Sequence, residues 1–128
     1  IDSKYSNSNE PGVQGKEVEF VPKYNIKTGI RFGYKNFTAY LQYSYLSSQF
    51  SDSSNSFESN LSGVIGLIPS YDILDFSMNY KLSRFKFEMG VNNILDNHYF
   101  TRRATGYPGP GIIPSPPRNY YLTVQYKF

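Results

Sequence analysis

Two adjacent arginines, Arg102 and Arg103, are the residues of this 128-residue chain best suited to recognition chemistry. A guanidinium presents a planar fork of N–H donors that matches a carboxylate or phosphate, so the pair points to an anionic ligand. They sit in a stretch dense in Gly and Pro, TRRATGYPGPGIIPSPP (101–117). Pro108, Pro110 and Pro114 restrict φ there, and Gly106, Gly109 and Gly111 allow bends between them. A loop stiffened in this way holds a guanidinium at less ordering cost than a Gly/Ser loop would. The competing reading is plain solvated loop charge.

Other constellations are thinner. His98 is the single His and there is no Cys, so thiolate sites and disulfides are excluded and a His-based metal centre is not expected. Asp52, Asn55 and Glu58 lack the Asp-x-Asp-x-Asp-Gly order of a calcium loop and read as solvated loop residues. No nucleophile, base and orienter set is visible, nor a Gly-rich phosphate loop after a strand. Neither an enzyme nor a resident cofactor is expected. The net charge of +3 is too small and too dispersed for a nucleic-acid binder.

The elements that must position these residues show period-two alternation, which puts successive side chains on opposite faces of a strand. From Tyr24 to Tyr34, the residues Tyr24, Ile26, Thr28, Ile30, Phe32 and Tyr34 share one face, with Lys27 and Arg31 opposite. After Lys35-Asn36, Phe37 to Tyr45 alternates again. Tyr71 to Leu82 places Leu74, Phe76, Met78 and Tyr80 against Asp75, Ser77, Asn79 and Lys81. After Ser83-Arg84, Phe85, Phe87, Met89 and Val91 alternate with Lys86, Glu88, Gly90 and Asn92. The last stretch, RNYYLTVQYKF (118–128), sets Tyr120, Leu122, Val124, Tyr126 and Phe128 on one side and Tyr121, Thr123, Gln125 and Lys127 on the other.

Between the strands the connections run long, short, long, short, long. The long ones are Asn7 to Phe20, Leu46 to about Ser70 and about Asp96 to Pro117, all rich in Ser, Asn, Gly or Pro and expected as irregular loops. Ile1 to Tyr5 reads as the outgoing end of an earlier strand, and Val21-Pro22 as the opening of the next. The chain opens on Ile1 without an initiator methionine or apolar leader, which reads as a mature piece or an excised fragment.

Aromatic content is 18%, with 13 Tyr and 10 Phe, and no apolar run reaches the roughly 18 residues of a spanning helix. An apolar row closing on a terminal Phe is costly in water but suits a strand with lipid on one face and a wet lumen on the other. Short turns at one end and long loops at the other are the pattern of outer-membrane barrels. Tyr24, Tyr34, Tyr45, Tyr80, Tyr120, Tyr126 and Phe128 then lie at strand ends, where aromatic girdles belong. The alternative is a soluble β-sandwich binding module, which alternates as well but does not place three long loops at one end. The expectation is all-β: an antiparallel meander of about five to six strands. So few strands cannot close a membrane barrel, and open edges are not tolerated in lipid, so the chain reads as part of a larger one.

GVNNILDNHYF (90–100), the loop TRRATGYPGPGI (101–112) and the closing YLTVQYKF (121–128) resemble the C-terminal end of TonB-dependent outer-membrane receptors, and most of all the ferric-citrate and siderophore branch. VPKYNIKTGIRFGY (21–34) and IPSYDILDFSMNYKL (68–82) extend the likeness over nearly the whole chain. The resemblance implies that residues 1–128 are the C-terminal portion of a 22-stranded barrel, with the plug domain and earlier strands outside this chain. It implies transport of a ferric chelate into the periplasm across the outer membrane of a Gram-negative bacterium, with iron as cargo rather than as a cofactor. Cobalamin or an oligosaccharide is the rival cargo. The implied partners are outer-membrane lipid, the TonB complex through the absent N-terminal region, and the barrel-assembly machinery. That machinery would read Tyr120, Leu122, Val124, Tyr126 and Phe128. From the residues themselves, Asn92 and Asn93 are expected to satisfy backbone groups where the strand ends, and Asp96 to cap the following turn.

Overall fold

The computed structural model describes residues 1–106 and 109–128. Its strands are β1 (Asn25–Tyr34), β2 (Phe37–Leu46), β3 (Gln49–Phe50), β4 (Leu67–Ile68), β5 (Tyr71–Leu82), β6 (Phe85–Asn92), β7 (Phe100–Ala104), β8 (Gly111–Pro114) and β9 (Asn119–Tyr126). Five of them form one sheet in the order β1-β2-β5-β6-β9, a meander in which each strand pairs with the next sheet strand along the chain. The chain divides into two compact units, one of sheet strands and one of the long connections.

The sheet unit comprises Ile26–Tyr45, Asp72–Asn97 and Pro116–Phe128. β5 and β6 pair antiparallel from Leu82↔Phe85 to Phe76↔Val91, and β6 and β9 from Phe85↔Tyr126 to Asn92↔Asn119. Two-residue turns close β1–β2 at Lys35-Asn36 and β5–β6 at Ser83-Arg84. Lys35 (φ 49°) and Ser83 (φ 53°) supply the positive φ that a primed hairpin turn needs at its first central residue. The expected apolar rows are exposed, with Ile30 at 73% and Leu122 at 67%. Among the described residues none of this unit's large apolar side chains is buried. A sheet face this apolar and this bare has lipid, rather than a protein core, as its natural cover.

The second unit comprises Ile1–Asn25, Leu46–Tyr71 and His98–Ser115, and it holds the buried apolar residues Val13, Phe50, Ile68 and Ala104. β3 pairs antiparallel with β4 (Phe50↔Leu67), and β7 with β8 (Arg103↔Ile112), while β4 packs against β7. Ile68 is 1% exposed. Phe50 and Phe57 meet edge to face at 5.2 Å, and Tyr71 stacks on Tyr99 at 4.5 Å, both within the range where aromatic pairs attract.

Several expectations change here. The stretches Leu46–Ser70 and Asp96–Pro117 are not merely irregular, since each contributes short paired strands. Two-residue strands such as β3 and β4 are too short to show alternation. Ile1 to Tyr5 is not a strand end. It forms one isolated bridge, Lys4↔Glu17, and Tyr5 N–H donates to the Lys16 carbonyl at 3.0 Å, so its partner lies within the first long connection. β1 starts at Asn25 rather than Val21. Tyr24 is tied instead to Ser47, whose N–H donates to its carbonyl at 2.9 Å and whose hydroxyl accepts from its N–H at 3.0 Å. Of the loop prolines invoked above, Pro108 lies outside the described residues.

Candidate functional site

The two arginines of the third long connection have opposite fates. β7 alternates through them, and Arg102 is exposed while Arg103 is only 6% exposed. Arg103 Nη1 donates to the Gly63 carbonyl at 2.8 Å and Nη2 to the Leu67 carbonyl at 2.9 Å, and its guanidinium lies 5.2 Å from the Phe100 ring centroid. Both its Nη groups and its charge are thus engaged inside the loop unit, which corrects the expectation that both arginines are presented to a ligand. Backbones approach closely there. A Cβ at Gly63 (φ +72°) would stand 3.3 Å from Gly111 Cα, so Gly suits that position for both conformation and space. Arg102 remains the exposed cation.

The Asn-Asn-Asp run divides its labour. Asn93 adopts φ 54°, a left-handed conformation that Asn tolerates better than most residues, and is 3% exposed. Its N–H donates to Asp75 Oδ1 at 2.8 Å, its Oδ1 accepts from Asn97 N–H at 3.1 Å, and its Nδ2 donates to the Asn97 carbonyl at 3.0 Å. Asn93 therefore serves the backbone as expected. Asn92 instead donates from Nδ2 to Asn119 Oδ1 across the β6–β9 ladder at 2.8 Å. The Asp96 carboxylate reaches far beyond the following turn: it accepts from the Arg118 backbone N–H at 3.1 Å and from Arg118 Nη2 at 2.9 Å, closing the base of the third connection. That hydrogen bond, with the charge behind it, pushes the Arg118 pKa up from its ordinary value.

On the inward-facing side of the sheet, sequence reasoning missed two tyrosines. Tyr121 lies over Gly90 and Tyr40 over Gly29, and with Gln42, Asp75 and Asn92 near Tyr40 and Tyr121 they border a recess of about 170 Å³. The available signal was a glycine at an inward position with a tyrosine opposite it, since Gly90 and Tyr121 are register partners. Lys86 is paired with Glu88 on the same strand.

Asp52, Asn55 and Glu58 do not converge. Asp52 Oδ2 accepts from Ser54 N–H at 2.9 Å, while the Asn55 amide exchanges hydrogen bonds with the Glu17 backbone at 2.7 and 2.8 Å. Among the described residues there is no cluster of three or more His, Asp or Glu placed to hold a metal.

A meander with an apolar outer row, a polar inner row and short turns at one strand end only is a section of membrane-spanning β-barrel. Residues 1–94 match the family of TonB dependent receptor-like β-barrels, and the chain belongs to that family. Among solved structures, it is similar to the ferric citrate transporter FecA in its unliganded form, at 28% identity and TM-score 0.82 over 93% of this chain and 18% of that one. The siderophore receptor PiuA from Acinetobacter baumannii matches at 20% identity and TM-score 0.72, over 91% of this chain and 15% of that one. The ferric yersiniabactin uptake receptor FyuA from Yersinia pestis matches at 16% and 0.73, over 95% and 19%. The latter two likenesses are of fold alone. The chain spans less than a fifth of the length of each of these three structures. Family membership replaces the β-sandwich alternative.

Proposed function

We propose that residues 1–128 are the C-terminal portion of a TonB-dependent receptor that imports a ferric chelate across the outer membrane of a Gram-negative bacterium. The cargo is a citrate-type or other anionic siderophore complex, and iron travels as chelate rather than as a protein-ligated cofactor. The complete protein would draw energy from the TonB complex through a region outside this chain. The observation that carries the reading is the 28% identity to a ferric citrate transporter, sustained over 93% of the chain. Two features support an anionic cargo: inward positions occupied by Lys27, Arg31 and Lys81, and the exposed Arg102.

The deciding experiment measures binding of ferric citrate, cobalamin and a neutral oligosaccharide to the purified full-length receptor by tyrosine fluorescence. Saturable quenching by ferric citrate or a related ferric chelate alone is expected. Binding of cobalamin or oligosaccharide in its place would overturn the cargo and leave the receptor class standing.

A further inference from the structure

The inward face of the sheet unit carries an unbalanced row of cations near its short turns. Lys81 on β5, Lys86 on β6 and Gln125 on β9 are successive register partners, so they stand side by side across three strands. Lys127 follows on the Gln125 side, and its N–H donates to the Arg84 carbonyl at 2.9 Å, which keeps that residue against the turn. Arg31 adds a cation to the same face near the end of β1. Arg84 itself belongs elsewhere, since its Nη1 lies 3.5 Å from the hydroxyl of the outward Tyr126.

Little offsets this charge from within. Glu88 pairs with Lys86, but among the described residues no carboxylate pairs with the Lys81 or Lys127 side chain. Asp72 and Asp75 stand at the other end of β5, and Asp96 is held by Arg118. Like charges directly opposite destabilise a sheet. Lys81 and Lys86 therefore gain whenever an anion lies between them. Cross-strand partners have Cβ atoms about 5 Å apart, close enough for one small polycarboxylate to reach both amines.

The short turns of an outer-membrane barrel face the periplasm, so this row lies on the exit side of the lumen. Passage through a pore favours several sites, each weak enough to leave. We propose that Lys81, Lys86, Gln125 and Lys127 form an exit-side station for the anionic ferric chelate, weaker than the site at which it is first bound. The inference rests on the anionic-cargo reading above and adds a second place where that cargo pauses.

The test measures binding and uptake of ferric citrate by cells carrying the full-length receptor. K81Q/K127Q leaves the Lys86–Glu88 pair intact. It should bind ferric citrate at the cell surface with wild-type affinity and take it up about fivefold more slowly, the equivalent of about 1 kcal/mol or two exposed ion pairs. Arginine keeps the charge, so K81R/K127R should transport at the wild-type rate. K35Q should do so too, because Lys35 lies in a turn with its ammonium 5.3 Å from the Tyr34 ring centroid. Should K81Q/K127Q fail to reach the surface, K81Q/K86Q carries the same expectation with β9 untouched. Wild-type uptake by an abundant, normally binding double variant overturns the station. So does a fall in the midpoint of heat-induced mobility change for K81Q/K127Q, which would assign the cations to an acidic segment of the receptor's own interior. A wild-type receptor that binds no ferric chelate strikes instead at the cargo reading, and takes this station with it.

Discussion

The ring of Tyr121 lies across Gly90, so that a Cβ built at position 90 would stand 2.6 Å from Cε1, Cζ and the hydroxyl oxygen alike. The two residues face each other across the β6–β9 ladder. Glycine weakens a strand interior, and an aromatic laid over it from the neighbouring strand restores contact and pins the register. Tyr40 over Gly29 repeats the device with its hydroxyl 2.6 Å from the corresponding point. Gly90→Ala in the full receptor should therefore destabilise by overpacking, at about 1–3 kcal/mol. Adding Tyr121→Ala should recover part of that loss, because the two changes share one contact. The midpoint of heat-induced mobility change reads both, and strictly additive losses would argue against the contact.

Arg103 and Arg102 should separate cleanly in function. Arg103→Gln removes two charged, part-buried hydrogen bonds to the Gly63 and Leu67 carbonyls, each of a kind that contributes about 1.5–3 kcal/mol. Limited proteolysis should then cut faster within 97–117, while surface abundance stays normal. Arg102→Gln should leave the cleavage rate unchanged and weaken ferric-chelate binding about tenfold, the equivalent of one charged hydrogen bond. Unchanged affinity would return Arg102 to the role of solvated charge.

Asn93 combines a left-handed backbone with a satisfied amide, and no other residue type meets both needs as well. Asn93→Ala should cost about 1–3 kcal/mol by leaving the part-buried Asn97 N–H and carbonyl without their side-chain partner and by straining φ. Asn93→Gly should recover the conformational part only, and so fall between the two. A wild-type unfolding midpoint for the alanine variant would show that neither need is stringent.

The terminal row Tyr120, Leu122, Val124, Tyr126 and Phe128 is exposed along β9 and beyond it. If the barrel-assembly machinery reads that row, deleting Phe128 should lower the amount of receptor in the outer membrane without lowering its synthesis. Quantitative blotting of membrane and total fractions measures this. Equal membrane levels would remove the assembly role.

Expressed alone in water, residues 1–128 should aggregate. The sheet presents its apolar row to solvent, and β1 and β9 each end it with a strand edge that no other sheet strand of this chain covers. Size-exclusion chromatography without detergent is the check, and a monodisperse monomer that melts cooperatively would count against the barrel reading.

What the sequence determined by itself is the side on which each sheet residue stands. Lipid and lumen make opposite demands on the two faces of a strand, so Ile30 beside Arg31, or Leu122 beside Thr123, declares its face within two positions. The two-residue turns at Lys35-Asn36 and Ser83-Arg84 were legible for the same local reason. Tertiary structure alone decided between Arg102 and Arg103, which are chemically identical neighbours; only the arrival of the Gly63 and Leu67 carbonyls, about forty residues earlier in the chain, engages one and leaves the other exposed. It likewise joined Asp96 to Arg118 across 22 residues and paired β3 with β4. Such pairings depend on how a long connection closes on itself, and loop closure leaves no periodic trace in the residues it brings together.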